Sequence, residues 1–500
     1  MNQKIQEKLN EVREHVSKIE ELDRLSALVY WDMKICMPKK ALEQRANTLA
    51  YITGESFKLT TGEEVKEFIN YFNPIINELS IVDKAMMRNL KKNYEETKKI
   101  PEKIHKQYSI VTSLSEAAWE EAREKNDFSI FKPHLEKVVA FQREFVEYLG
   151  YKENKYDALL GKFEEGITVK KLDKIFGELK EGILNILEYI KKSNKKINRE
   201  FLNAKFDIKK QKEISLYLLD KIKFDMDAGR LDETTHPFTT NFGNKDVRIT
   251  THYFERDLLS NIYSIIHEGG HGLYELHIPD NLLGTGLAIG ASMGIHESQS
   301  RFYENIIGRS KEFIKVILPF IKEKFSNLED VTLDEFYSAV NYVEPSLIRT
   351  EADELTYSLH VIIRYEIEKE LINGDIEVKD LPKVWKEKYI EYLGVEPKTD
   401  NEGILQDMHW SDGSFGYFPS YALGNIYGGQ FLNKLMQDNE NAINNLEDGD
   451  MSYINEWLSN NIHKYGGIYT PEELVKKVTS EELSTKYFLN YLENKYKQIY

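Results

Sequence analysis

The sequence predicts a mainly α protein in which two helical lobes flank a cleft and a single short β-hairpin interrupts the helices. Three observations carry that expectation. At 500 residues the chain is longer than a lone hydrophobic core usually serves, so two lobes are expected. Apolar residues recur three and four positions apart, as in Ile5-Leu9-Val12-Val16-Ile19-Leu22 and Ile183-Ile186-Leu187-Ile190, which places an apolar stripe along one helix face. Strand-like text is confined to TTHPFTTNFGNKDVRITTHYF, residues 234–254. There Pro237 and the turn Gly243-Asn244 precede an alternating run through Val247, Ile249 and Thr251, the pattern of a hairpin.

Helical text fills the chain before that hairpin and resumes after it with SIIHEGGHGLYELH. The next segment, LLGTGLAIGASMG (282–294), holds too many glycines for a stable helix and reads as a loop or short strand. GIHESQSRFYEN lies on a helix entered through that loop. No internal repeat, Pro-rich linker or low-complexity segment divides the chain, so residues 1–500 read as one unit, with the chemistry-bearing motifs gathered in 236–421.

Composition narrows the function classes. Hydrophobic residues make up 41% and charged residues 30%, the balance of a folded globular protein. With 30 Tyr and 24 Phe there are aromatic side chains enough to line a groove. A net charge of −16 repels nucleic-acid backbones and anionic lipid, so neither is an expected partner. The first twenty residues are charged throughout and no later stretch is apolar for long enough to span a bilayer, which predicts a cytoplasmic protein. Cys36 is the one cysteine; it forms no internal disulfide and excludes a multi-thiolate metal site, leaving His and carboxylates as ligands.

Eight of the twelve histidines lie between positions 236 and 409. Among them His267 and His271 stand four apart, so on a helix both imidazoles leave one face and can share a metal ion. Glu268, next to the first imidazole, is placed to take a proton from the water a metal activates and to pass it to a leaving amine. Gly269 and Gly270 each cost the helix roughly 1 kcal/mol against Ala, a penalty expected where backbone packs closely or substrate needs room. A catalytic zinc needs a third protein ligand and one open position. Glu297 is the expected third ligand, with Glu275 and Glu304 as competing acids and His296 expected behind the ligands. Glu275, one turn past His271 on the same helix, is poorly placed to complete the cage.

His236-Pro237-Phe238, Asp246-Val247-Arg248-Ile249-Thr250, the HEGGH helix, His296-Glu297-Ser298, Ile348-Arg349-Thr350-Glu351-Ala352-Asp353 and Gly403-Ile404-Leu405-Gln406-Asp407-Met408-His409-Trp410 together resemble the carboxypeptidase Taq family of metallocarboxypeptidases, in family order. YWDMKICMP near the N-terminus and FGYFPSYALGN after Trp410 are similar to family text as well. The resemblance implies a two-lobed helical metallopeptidase with a deep central groove and a small β-sheet beside the metal. It also implies a homodimer, and hydrolysis of C-terminal peptide bonds with broad specificity.

A carboxypeptidase must hold a terminal carboxylate, for which arginine's planar fork is suited. Arg349 is the first candidate and Arg248 the second, with His236 as a groove-lining imidazole. Each has a structural alternative: an Arg349–Asp353 ion pair on a helix, a surface ladder of Asp246, Arg248 and Thr250 on one strand face, and a simple turn at His236-Pro237. His409, Tyr417 and Tyr421 are candidate donors to the oxyanion formed during amide hydrolysis, against plain core packing. Asp353 could alternatively hold the outer nitrogen of a ligand histidine. Zn²⁺ is the expected cofactor, with Co²⁺ or Mn²⁺ also accommodated by a His/Glu set. Two other readings fit the same text: a metallo-oligopeptidase cutting internal bonds, and a helical binding or scaffold protein with a structural metal.

Overall fold

Amphipathic periodicity is realised as long helices from the first described turn onward. The computed structural model describes residues 3–500; Met1 and Asn2, which open the charged N-terminal stretch, lie outside the described residues. Helices Gln3–Ile35, Leu42–Thr61, Glu63–Phe72 and Ile81–Lys99 build the N-terminal part. Their apolar stripes meet in a cluster of Leu9, Val12, Val16, Phe68, Phe72 and Met86, closed from the other side by Ile278, Leu282, Leu287 and Ile468. A second and larger core runs from Trp119 to Ile499. The segment 278–287 thus belongs to the N-terminal core while the helices on either side of it belong to the main one.

The predicted hairpin forms between β2 (Thr239–Asn241) and β3 (Val247–Thr251), antiparallel with Thr239 opposite Ile249 and Asn241 opposite Val247. Its turn includes Gly243 at φ +129°, in the region that favours glycine. The sheet is larger than the hairpin, because β1 (Gly229–Glu233) adds parallel to β3 and gives the order β1-β3-β2. The short sequence GRLDE alternates weakly, so its pairing is set by the neighbour rather than by its own pattern. Segment 283–292 forms a loop, as the glycines predict, with helix Met293–Arg301 starting at its end.

Two long helices cross at the centre. Leu258–Leu276 carries HEGGH and lies on β3; Met293–Arg301 continues without a break into a wider π turn, Phe302–Ile307. Gly270 explains how close they come. A Cβ there would stand 2.8 Å from the Ser300 Cα and 2.9 Å from the Gln299 carbonyl oxygen, and backbone cannot yield as a side chain can. Gly424, on helix Phe418–Asp438, does the same from the opposite side, where a Cβ would meet the Glu297 Cγ at 2.6 Å. Of the two reasons the sequence offered for the glycine pair, close backbone packing is the one found at Gly270. No helix among the described residues is long and apolar enough to cross a membrane.

Candidate active site

The crossing of these helices brings His267, His271 and Glu297 together, with one ligand atom of each within 4.8 Å of the others. Glu297 Oε2 is 3.5 Å from His271 Nε2 and 4.0 Å from His267 Nε2. Ligands about 2 Å from a tetrahedral cation stand a little over 3 Å apart, so this spacing needs only a small contraction.

The remaining polar atoms of the three side chains are already engaged, which fixes the direction of the inner ones. His267 Nδ1 is 2.8 Å from Glu304 Oε2, so it donates there and leaves Nε2 as the acceptor. His271 Nδ1 is 2.6 Å from His296 Nδ1, and His296 Nε2 is 2.7 Å from Glu275 Oε1. With His271 donating to His296, and His296 donating to the carboxylate, one consistent proton order leaves His271 Nε2 bare. Asn241 Nδ2 donates to the other Glu275 oxygen. Glu297 Oε1 accepts from Arg301 Nε at 2.7 Å, which leaves Oε2 for a cation. The donor set therefore fits a divalent ion, with outer partners of the kind metal ligands require.

Charge agrees with that arrangement. Burial works against ionisation of Glu297, yet Arg301 and the two imidazoles hold its carboxyl well below the usual carboxylate range. Glu304 is likewise pushed up by burial and brought down to about 2 by Arg301, His267 and Arg309. Burial drives His271 down to about 3, keeping it neutral and ligand-competent. At His267 burial disfavours the imidazolium, but Glu297 and Glu304 outweigh it and raise the pKa; without a metal this favours a proton on Nε2, and the same negative field favours a cation in its place. Glu268 is raised by burial, opposed by His267 and by a 2.6 Å hydrogen bond from Thr239 Oγ1 to Oε2.

Two cavities of about 840 and 830 Å³ meet here, and His267, Glu268, Arg301, Arg349 and Tyr357 border both. His271, Glu297, Tyr417 and Tyr421 border the first; His236 borders the second. Arg349 is buried but faces both. Its Nε donates to Asp407 Oδ1 at 2.9 Å and its Nη1 to the Tyr357 hydroxyl at 3.0 Å, so the guanidinium is held at one edge.

Several expectations are corrected. Arg349–Glu351 is a single 3-10 turn rather than part of a long helix, and Arg349 pairs with Asp407 instead of Asp353. Asp353 accepts from Glu344 N, Leu355 N and Thr356, and reaches no ligand histidine. Glu304, weighed as a competing ligand, holds His267 from outside; Glu275 holds His296. Arg248 is absent from both cavity linings: Asp246 grips it at 2.8 and 2.7 Å, and it lies over the Phe242 and Trp31 rings. Of the Asp246-Arg248-Thr250 ladder offered as the alternative, only the Asp246–Arg248 pair forms; Thr250 is fully buried and bonds Phe238 instead. His409 also stays behind the cavity walls, its Nε2 3.0 Å from the Tyr421 hydroxyl and its ring 4.4 Å from that of Phe418. Burial, then Arg349, lower it to about 3, so it is neutral and reaches the cavity only through Tyr421.

Sequence reasoning missed Arg301, Tyr357, Thr239 and Arg364. Arg301 Nη1 donates to Glu304 Oε2 at 3.0 Å and its guanidinium lies 4.0 Å from the Tyr357 ring centre, so Tyr357 is wedged between two arginines. The spacing Glu297, Arg301, Glu304 was a usable signal, since residues i, i+4 and i+7 share a helix face. Arg364 is fully buried and donates to Asp407 Oδ2 at 2.6 Å and Gln406 Oε1 at 2.7 Å. A lone arginine within the apolar run LHVIIRY was the available sign.

The model of the carboxypeptidase Taq (M32) metallopeptidase family matches residues 11–496. The chain is 46% identical over 486 residues to carboxypeptidase 1 of Bacillus subtilis, covering 97% of each. It is 39% identical over 492 residues to thermostable carboxypeptidase 1 of Thermus thermophilus, covering 96% of each. A solved structure of a Pyrococcus furiosus carboxypeptidase matches with a TM-score of 0.95 at 35% identity, over 98% of this chain and 99% of that one.

Proposed function

The chain belongs to the carboxypeptidase Taq (M32) family of metallopeptidases and is a metal-dependent carboxypeptidase; from that premise we propose how its own residues divide the work. His267, His271 and Glu297 hold the metal, and zinc is the ion we assign, with cobalt or manganese as substitutes. The observation that carries this reading is the convergence of the three inner ligand atoms beside Glu268 and within a groove that Arg349 also borders. A bound divalent cation supplies Lewis acidity, making water more acidic and a carbonyl more electrophilic.

Glu268 is the general base. Buried beside His267, it takes the proton of the attacking water and returns it to the leaving nitrogen. Arg349 receives the terminal carboxylate. Asp407 and Tyr357 immobilise its Nε and Nη1, so Nη2 and the remaining Nη1 hydrogen are the donors left for substrate. Tyr417 and Tyr421 border the cavity, and their phenols, kept protonated because burial raises both pKa values, are donors for the developing oxyanion. His409 orients Tyr421 through their 3.0 Å contact, and His236 lines the adjoining cavity. Peptides of varied C-terminal residue are the substrates, and we assign a cytoplasmic homodimer.

The test pairs metal analysis with a timed mass spectrum of one peptide before and after chelation. The expected result is one bound divalent ion per chain and a ladder losing residues singly from the C-terminus, abolished by the chelator. Internal fragments from the outset would support the oligopeptidase reading, and metal without turnover the scaffold reading.

A further inference from the structure

We infer that Thr239 is a positioning residue for the general base: its hydroxyl pins one oxygen of the Glu268 carboxylate so that the other is offered to the groove. The inference rests on Glu268 being the base.

Thr239 Oγ1 donates to Glu268 Oε2 at 2.6 Å. Among the described residues no other side chain or backbone group hydrogen-bonds this carboxylate, which leaves Oε1 as its one uncommitted acceptor. The terminal torsion of a glutamate is broad and nearly two-fold, and Glu268 follows directly on the ligand His267. An unrestrained carboxylate in that place can rotate its accepting lone pairs away from a reacting water, or swing toward the cation and fill the coordination position that catalysis needs open. The one hydroxyl hydrogen has two acceptors in reach, the Glu268 carbonyl oxygen at 3.1 Å and the nearer Oε2 at 2.6 Å, and its short contact to Oε2 biases the carboxylate against both movements. A hydroxyl suits the task because it carries no charge, whereas a Lys or Arg there would form an ion pair with the base and compete for its lone pairs.

The strand makes Thr239 a rigid anchor. Phe238, immediately before it, donates its N–H to Thr250 Oγ1 at 2.8 Å and accepts from Thr250 N at 3.0 Å, and Thr239 itself pairs with Ile249. Two residues on, and therefore on the same strand face, Asn241 grips Glu275, the carboxylate behind His296 and His271. One face of a three-residue strand thus reaches both carboxylates that the HEGGH helix sets around the metal ligands.

Steady-state kinetics of the metal-loaded enzyme on a free-carboxylate peptide test the inference. Thr239→Val replaces the hydroxyl by a methyl of the same shape and keeps a strand-favouring residue; Thr239→Ser restores the donor. The expected result for Thr239→Val is a kcat reduced roughly 10- to 100-fold, with KM, the metal dissociation constant and the melting temperature unchanged, and recovery in Thr239→Ser. In a Glu268→Gln background Thr239→Val should cost nothing further, because no base remains to be held. Wild-type kcat in Thr239→Val would overturn the proposal, as would an equal loss in the Glu268→Gln background or a parallel loss of metal affinity. Full turnover in Glu268→Gln alone would remove the base assignment itself, a result separable from the others.

Discussion

The Glu268 carboxylate is held by one side-chain hydrogen bond, from Thr239, and as the proposed base its substitution gives the sharpest residue-scale expectation. Glu268→Gln keeps the volume and removes the proton acceptor while leaving His267, His271 and Glu297 in place. Turnover should fall by roughly 10²–10⁴-fold with metal content unchanged, read by kinetics and elemental analysis on the same sample. Arg349→Ala removes charge-assisted hydrogen bonds worth about 1.5–3 kcal/mol, roughly 10- to 150-fold in kcat/KM for free-carboxylate peptides. Because Asp407 retains Arg364 at 2.6 Å, the variant leaves no unpaired buried charge, and the loss should be much smaller for C-terminally amidated peptides. An equal loss on both substrates would take Arg349 out of the carboxylate role. At this scale the sequence was most informative where local geometry alone fixes contacts. Two imidazoles one helical turn apart must share a face wherever the helix goes. Arg349 was legible as a candidate but its partner was not, since the i, i+4 pairing with Asp353 presupposed a helix that ends up as a three-residue turn. Thr239 carried no signal at all, because nothing in TTN distinguishes a hydroxyl facing a buried carboxylate from one facing water.

Among the elements, helix Met293–Arg301 matters most, since it brings Glu297 across to a helix some twenty residues earlier in the chain. Its N-terminus is held by Glu164: Gly294 N donates to Oε2 at 3.0 Å and the Tyr427 hydroxyl to Oε1 at 2.6 Å. Burial raises the Glu164 carboxyl from 4.5 to about 7 despite those donors. A pKa raised on folding means that the folded state binds the proton more tightly than the unfolded chain. The contribution is therefore full below 4.5 and is lost as pH rises through about 7, amounting to roughly 3 kcal/mol across that window. Glu164→Gln cannot ionise, so its stability relative to wild type should improve progressively between pH 5 and 8 in urea titrations; a constant difference over that range would show that Glu164 does not titrate there. Helices were legible from periodicity where an apolar stripe recurs, as in Gln3–Ile35 and Val169–Ser193, and the loop at 283–292 from its glycines. Strand β1 was not, because GRLDE joins the sheet only through a parallel neighbour eighteen residues away in sequence, and such pairing leaves no local pattern to read.

In the molecule as a whole, a metal held as proposed would add a link between two helices already joined by the His267–Glu304, His271–His296 and His296–Glu275 hydrogen bonds, so its removal should be felt beyond the three side chains. A free metal concentration 1,000-fold above the dissociation constant stabilises the folded state by about 4.1 kcal/mol. Unfolding entropy of about 2.1 cal/mol/K per residue comes to roughly 1 kcal/mol/K for a chain of 500 residues, so a melt of the entire chain in one step should shift by only about 4 °C. A larger shift is expected if the two cores melt apart, since the ligand helices belong to the main core and the cluster around Val12 and Phe68 lies in the other. Segment 278–287, which lies between the ligand helices yet packs into the N-terminal cluster, is the route by which one core would feel the other. Calorimetry with and without chelator separates the cases: one transition displaced by about 4 °C, or two transitions of which only the main-core one moves. In both, His267→Ala and Glu297→Gln should lose the displacement and melt alike in metal and chelator. A displacement that survived in these variants would place the ion elsewhere and leave the three side chains as a buried ion-pair cluster.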